Sequence, residues 1–162
     1  MELLVIRHAI AAERTADVAD AERPLTNRGR RRFRQVVRGL GALGLAVDLV
    51  LSSPWRRASE TAALLAPLCT DDRGPVVTPH LAGPPRAELL SAIAGAGVAR
   101  LAVVGHEPWL GELVAMLTTG EPRHGEAVPF KKGGVAVLAG TATAGGMVLR
   151  ALLPPSMTRR LS

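Results

Sequence analysis

A chain of 162 residues with 48% hydrophobic side chains has the size and apolar content of one compact domain, residues 1–162, burying about two-thirds of the surface its unfolded form exposes. Aromatic residues make up only 2% of it, namely Phe33, Phe130, Trp55 and Trp109, so the core is expected to be aliphatic; the lone cysteine, Cys69, excludes an internal disulfide framework. The net charge of +6 is carried almost wholly by arginine, since Lys131 and Lys132 are the only lysines, and it favours anionic partners without saying which.

In chain order, Glu2–Ile6 is a short aliphatic run that reads as a buried strand. Thr26 is a plausible N-cap for a helix in which Phe33, Val36, Val37 and Leu40 recur at i, i+3, i+4, i+7. Arg30, Arg31, Arg34 and Arg38 cover its other faces. Ala46–Leu51 reads as a second strand broken by Ser53-Pro54, and a second helix is expected from about Arg57 to Leu68. A Gly/Pro-rich stretch from Asp71 to Pro85 holds a short strand at Val76–Thr78, and Glu88–Ala94 is helical. Arg100–Val104 is a strand ended by Gly105, and Pro108 suits the first turn of a helix running to about Leu117. Gly133–Ala139 and Met147–Leu153 read as a closing hairpin. Strands alternating with helices predict a three-layer α/β/α fold with a mostly parallel central sheet, to which the hairpin adds an antiparallel edge strand.

No apolar run approaches the roughly 18 residues that span a bilayer. The segment Met1 to Arg7 has no charged region ahead of its apolar run, so it does not read as a signal peptide. With the single Cys69, the expected location is the cytoplasm, with no membrane partner.

Three polar clusters stand at the downstream ends of strands: Arg7-His8, Ser52-Ser53-Pro54-Trp55-Arg56-Arg57, and His106-Glu107-Pro108. Right-handed crossovers bring the C-terminal ends of parallel strands to one edge of a sheet, where open α/β folds bind ligands. Two histidines and at least two arginines are therefore expected to share a crevice. Converging guanidinium groups suit a tetrahedral oxyanion such as phosphate. A histidine among them is a candidate nucleophile, and nearby positive charge is expected to keep His8 neutral with a free lone pair.

These residues resemble the histidine phosphatase superfamily. Arg7-His8-Ala9 resembles its Arg-His-Gly signature, Ser53-Pro54-Trp55-Arg56-Arg57-Ala58-Ser59-Glu60-Thr61 its Ser-Pro-x-x-Arg-Ala-x-x-Thr element, and Gly105-His106 its second histidine. The short length, Arg23-Pro24-Leu25-Thr26 with Gly29, and Phe130-Lys131-Lys132-Gly133-Gly134 are most similar to the SixA-type protein-phosphohistidine phosphatases with the phosphoglycerate mutase-like fold. The resemblance implies that His8 is phosphorylated, that Arg7, Arg23 and Arg57 bind phosphoryl oxygens, and that His106 hydrogen-bonds the same group. No cofactor is expected, and no metal, since the four histidines lack metal-site spacing; the partner expected is a protein bearing phosphohistidine, such as a phosphotransfer domain. Arg56 precedes the motif's arginine and is expected at the surface.

Two departures bear on the chemistry. Ala9 replaces glycine, which is tolerable where φ is negative. The acid that larger members use to protonate an alkoxide is not evident; Glu88 and Glu107 are the only candidates, and its absence suits phosphohistidine. A phosphatase for small phosphomonoesters, and a non-catalytic phosphoprotein- or nucleic-acid-binding module, are the alternatives. His80 and His124 are expected at the surface, without metal-site spacing. The Arg28–Arg38 run reads as a solvated helix face rather than a nucleic-acid stripe, because no aromatic residues line it for base stacking. Lys131 and Lys132 are placed to border the pocket and attract an acidic partner.

Overall fold

A computed structural model describes residues 1–162. Six strands form one sheet in the order β3-β2-β4-β1-β5-β6. They are β1 (Glu2–Arg7), β2 (Leu49–Ser52), β3 (Val76–Val77), β4 (Arg100–Gly105), β5 (Val135–Gly140) and β6 (Met147–Leu153). The first four run parallel, and β5 and β6 form an antiparallel hairpin at one edge, with β5 against β1. The predicted architecture is therefore present.

Alternation along the strands builds two cores. Leu4 and Ile6 of β1, Ala102 and Val104 of β4, and Val135 and Val137 of β5 face one side. Leu3, Val5, Leu101, Val103, Ala136 and Leu138 face the other. The period-2 geometry of a strand makes each strand serve both faces, which is why these runs are apolar throughout. Helices α1 (Asn27–Ala42) and α2 (Arg56–Ala63) supply Phe33, Val37, Leu40, Ala58 and Ala62 to the first core. Helices α3 (Ala87–Ala94) and α4 (Trp109–Thr119) supply Leu89, Ile93, Leu110, Leu113 and Leu117 to the second. The short α5 (Pro155–Thr158) packs on α1, where the bare Gly39 backbone meets Thr158.

Several element ends differ from the periodicity-based reading, each for a local reason. α2 stops at Ala63, not Leu68, because Leu64 and Leu65 bond back three residues and Pro67 has no N–H to continue the ladder; a 3-10 turn over Ala66–Leu68 follows. β2 begins at Leu49 rather than Ala46, with Val47 making only an isolated bridge to Cys69. β5 begins at Val135 because Gly133, at φ +79°, turns to donate to the carbonyls of Arg7 and His8. α4 runs on to Thr119 and ends at Gly120 in the left-handed conformation that glycine adopts freely. No helix is long and apolar enough to cross a membrane.

The register fixes what emerges from the strand ends. Arg7 pairs with Gly105 and Ser52 with Val104 across β4. The His8 N–H donates to the Gly105 carbonyl at 3.1 Å, and the Ser53 N–H to that of Val104 at 3.0 Å. His8, Ser53 and His106 thus leave three adjacent strands side by side.

The loop after His8 is anchored to α1. The Thr26 side chain caps the helix by accepting from Gly29 N–H, and the Ile10 carbonyl accepts from Thr26. A Cβ on Gly29 would lie 2.1 Å from that carbonyl oxygen. Helix propensity alone would favour Gly29→Ala by about 1 kcal/mol. The backbone collision is expected to reverse the sign, so urea unfolding of Gly29→Ala should give a lower midpoint than the parent; an equal or higher midpoint would contradict this packing.

Candidate active site

The strand ends open into a cleft of about 450 Å³ that contains Arg7, His8, Arg23, Arg57 and His106, with Asp20, Trp55, Glu107, Trp109, Lys132 and Arg14 around them. A larger cavity of about 700 Å³ adjoins it and shares Glu107, but holds neither histidine. Of these two, only the smaller cleft combines histidines with several cations, which makes it the candidate active site.

His8 is buried, and two contacts fix its tautomer independently. Nδ1 lies 2.7 Å from the Ala9 carbonyl oxygen, which only accepts, so Nδ1 carries the proton. Arg57 Nε, which only donates, points at Nε2 from 3.2 Å, so Nε2 carries the lone pair. The His8 pKa is lowered to about 4, chiefly by burial, with Arg57, Arg7 and Lys132 adding repulsion. Neutrality at working pH was expected from neighbouring charge; desolvation is the larger cause. Ala9 has no positive φ, so glycine is not needed there, and its N–H donates to Thr61 Oγ1 at 3.0 Å. Thr61 in turn donates to the Arg57 carbonyl, tying the two halves of the site together.

Arg57 is only 4% exposed as a side chain, and each of its nitrogens makes one bond, Nη1 donating to the Asp20 carbonyl at 2.6 Å and Nη2 to the Asp20 carboxylate at 3.1 Å, which leaves two of its five N–H groups unused. The same carboxylate accepts from Arg14 Nε and Arg23 Nε, both at 2.8 Å. This arginine collar holds Asp20 ionised, far below the usual carboxylate range, with the Arg14 hydrogen bond the largest cause. Arg23 also donates to the Ala12 carbonyl, so it belongs to the cleft and not to the open surface. Asp20 left no mark in the sequence, because it sits in an aperiodic polar loop.

His106 is buried between the only two tryptophans of the chain, with ring centroids 4.5 Å from Trp55 and 6.1 Å from Trp109. Its ring lies 5.3 Å from that of His8. Nε2 is 2.8 Å from Ser53 Oγ. That hydroxyl already accepts from Trp55 N–H, and the ring is the only acceptor it meets, so it donates to Nε2 and leaves the proton on Nδ1. Burial lowers the His106 pKa to about 3, with His8 and Arg57 reinforcing the shift. The buried side-chain polar atoms without a protein partner are Arg7 Nε and His106 Nδ1, and both belong to cleft residues. Ser53 and Thr61 were visible as motif letters, whereas the part played by the tryptophans was not.

The remaining candidates separate cleanly. Glu107 lines the cleft; burial raises its pKa, although Oε1 accepts from Phe130 N–H at 3.1 Å. Glu88 is exposed on α3 and does not line the cleft, which corrects its place among possible proton donors: the helix turns it to solvent. Lys132 borders the cleft and Lys131 does not. Arg56 is half-exposed and paired with Glu60, and His80 and His124 lie at the surface. No three His, Cys, Asp or Glu side chains gather closely enough to hold a metal ion.

Comparison with known proteins points the same way as the geometry. Residues 3–78 match the model of the histidine phosphatase superfamily, branch 1. An uncharacterised protein of Picosynechococcus is 36% identical over 141 residues, covering 83% of this chain and 82% of its own. Phosphohistidine phosphatase SixA of Escherichia coli is 32% identical over 125 residues, covering 75% and 76%. The solved structure of the protein histidine phosphatase SixA complexed with tungstate superposes with a TM-score of 0.79 at 28% identity, covering 96% of this chain and 98% of that one.

The depressed histidines make stability depend on pH. Between the ordinary value of 6.5 and about 4, an unfolded chain takes up protons that His8 and His106 refuse when folded. Their contribution is full above 6.5 and is lost as pH falls through that window. The urea midpoint should therefore drop from pH 7 to pH 5, and drop less in the double variant His8→Asn, His106→Asn; identical profiles would contradict the burial of neutral rings.

Proposed function

Because this chain belongs to the histidine phosphatase superfamily, with SixA-type relatives, we propose that it removes the phosphoryl group from phosphohistidine carried on a protein, using His8 as nucleophile. Membership makes it a phosphatase that works through histidine; the substrate and the residue roles are our reading. The observation that carries this reading is the pairing of a lone pair with unfilled donors. His8 Nε2 is neutral and unprotonated, and on two other residues of the same cleft Arg7 Nε and His106 Nδ1 are buried without partners. Buried polar groups are nearly always satisfied, so two orphans on residues of one cleft support a reading in which an oxyanion binds there.

In this reading Nε2 of His8 attacks phosphorus as the bond from phosphorus to the substrate imidazole breaks. Arg7, Arg57 and Arg23 hold the equatorial oxygens, and His106 Nδ1–H donates to one of them. Water then attacks the phosphohistidine on His8, releasing inorganic phosphate and restoring the lone pair. Ser53 acts through His106 as a positioning residue, since its hydroxyl sets which ring nitrogen donates. Neither step uses a metal or cofactor.

The leaving group decides the substrate. An alkoxide needs a proton as it departs, whereas an imidazole already protonated on its far nitrogen leaves neutral. Of the two carboxyls in the cleft, Asp20 is held ionised by arginine and Glu107 is engaged with Phe130 N–H. That arrangement supports phosphohistidine. The raised pKa of Glu107 is the one observation favouring a small phosphomonoester instead. The free thiol of Cys69 fits a reducing compartment, and we place the enzyme in the cytoplasm.

The deciding assay compares a phosphohistidine protein with sugar and nucleotide monophosphates. The phosphohistidine protein should have the larger kcat/KM, and Glu107→Gln should change that value less than about threefold while slowing any monoester turnover more. Faster monoester cleavage that collapses in Glu107→Gln would select the other substrate class. Arg7→Ala and Arg57→Ala should each lower kcat on the order of a hundredfold or more, as loss of a transition-state charge clamp does.

A further inference from the structure

We propose that the outer face of α1, together with Arg159 and Lys132, is the docking surface for an acidic face of the phosphoprotein whose phosphohistidine enters the cleft. The inference rests on the phosphohistidine reading above and adds how the protein part of the substrate is held.

α1 carries Arg28, Arg31, Arg32, Arg34 and Arg38 and no acidic residue in its 16 positions. None of these five makes an ion pair, in contrast to Arg30, which is paired with Glu60. Burial of Phe33, Val36, Val37 and Leu40 on the opposite side fixes which face the arginines present. The packing of α5 on α1 brings in a further cation, Arg159. Arg28, Arg159 and Arg31 all repel the charge of Arg32, lowering its pKa.

This strip is continuous with the catalytic cleft. Arg32, Arg159 and Lys132 line one shallow groove together with Gly133 and Pro155, and Lys132 also lines the cleft that holds His8. A protein seated with its phosphohistidine over His8 therefore lies against unneutralised cations on this side. Like charges gathered without counter-ions repel one another, and carboxylates on a partner relieve that repulsion while steering its approach. Nucleic acid is the poorer fit, because the aromatic residue of α1, Phe33, is 1% exposed and offers no stacking platform.

The test compares a net-negative phosphotransfer domain phosphorylated on histidine with free phosphohistidine. In the triple variant Arg28→Glu, Arg31→Glu, Arg159→Glu, KM for the domain should rise about tenfold or more with kcat within about twofold, and turnover of free phosphohistidine should be unchanged. The triple Gln variant should show the same split at smaller size, and serves if charge reversal impairs folding. In the parent, KM for the domain should rise steeply with salt. An unchanged KM for the domain, or equal losses on both substrates, would overturn the docking surface while leaving the enzyme a phosphohistidine phosphatase. Loss of binding to nucleic acid or anionic vesicles with no change in that KM would overturn it as well. A parent that hydrolyses neither form of phosphohistidine would instead remove the functional reading, and the docking surface with it.

Discussion

The hydrogen bond from His8 Nδ1 to the carbonyl of Ala9 decides which nitrogen of the ring this cleft presents. An imidazole has two nitrogens and one proton when neutral, and this contact assigns the proton to the nitrogen facing the backbone. The lone pair then faces the cleft, where Arg57 Nε holds it in place from the other side. Burial keeps the ring from taking a second proton, so the pair stays free well below neutral pH. In the proposed reaction the rest of the architecture puts this ring where phosphorus can reach it. The parallel register of β1, β4 and β2 sets His8, His106 and Ser53 abreast, and the turn at Gly133 ties the carbonyls that flank His8 to the loop bearing Lys132.

Gathering Arg7, Arg23 and Arg57 in one place is costly without an anion, and Asp20 is the internal answer. Its carboxylate and backbone carbonyl accept from Arg14, Arg23 and Arg57, which neutralises part of the collar and fixes the planes of the guanidinium groups. Asp20 and Glu107 are outnumbered by Arg7, Arg14, Arg23, Arg57 and Lys132, so the cleft stays positive, which suits the oxyanion substrate proposed. Trp55 adds rigidity, lying under the Arg57 guanidinium at 4.6 Å and against His106. The site is thus held in shape before any substrate arrives, which is what electrostatic stabilisation of a transition state requires.

Much of this was legible in the residues. Apolar runs at Glu2–Ile6 and Arg100–Val104 could only be buried strands, and the rule that ligands gather at the C-terminal ends of parallel strands brought His8, Arg57 and His106 together. Arg23, far from any strand end, came only from its resemblance to a known motif. The roles of Asp20, Trp55 and Trp109 did not announce themselves, because loop conformation and side-chain stacking leave no periodic signal. The end of α2 was missed because apolar spacing persists through Leu65 while Pro67 withdraws the hydrogen bond that spacing assumes. Glu88 is the one acid between Pro79 and Glu88 that the resemblance offers as a proton donor, and the orientation of α3 removes it.

The central claim is that one nitrogen of one ring takes the phosphoryl group. The direct measurement is to quench the enzyme during turnover, keep it in alkaline denaturant where phosphohistidine survives, and locate phosphorus by peptide mass spectrometry and phosphorus NMR. The account predicts a single phosphorylated residue, His8, substituted at Nε2. Phosphorus on Nδ1 of His8, on His106, or on a serine such as Ser53 would contradict it.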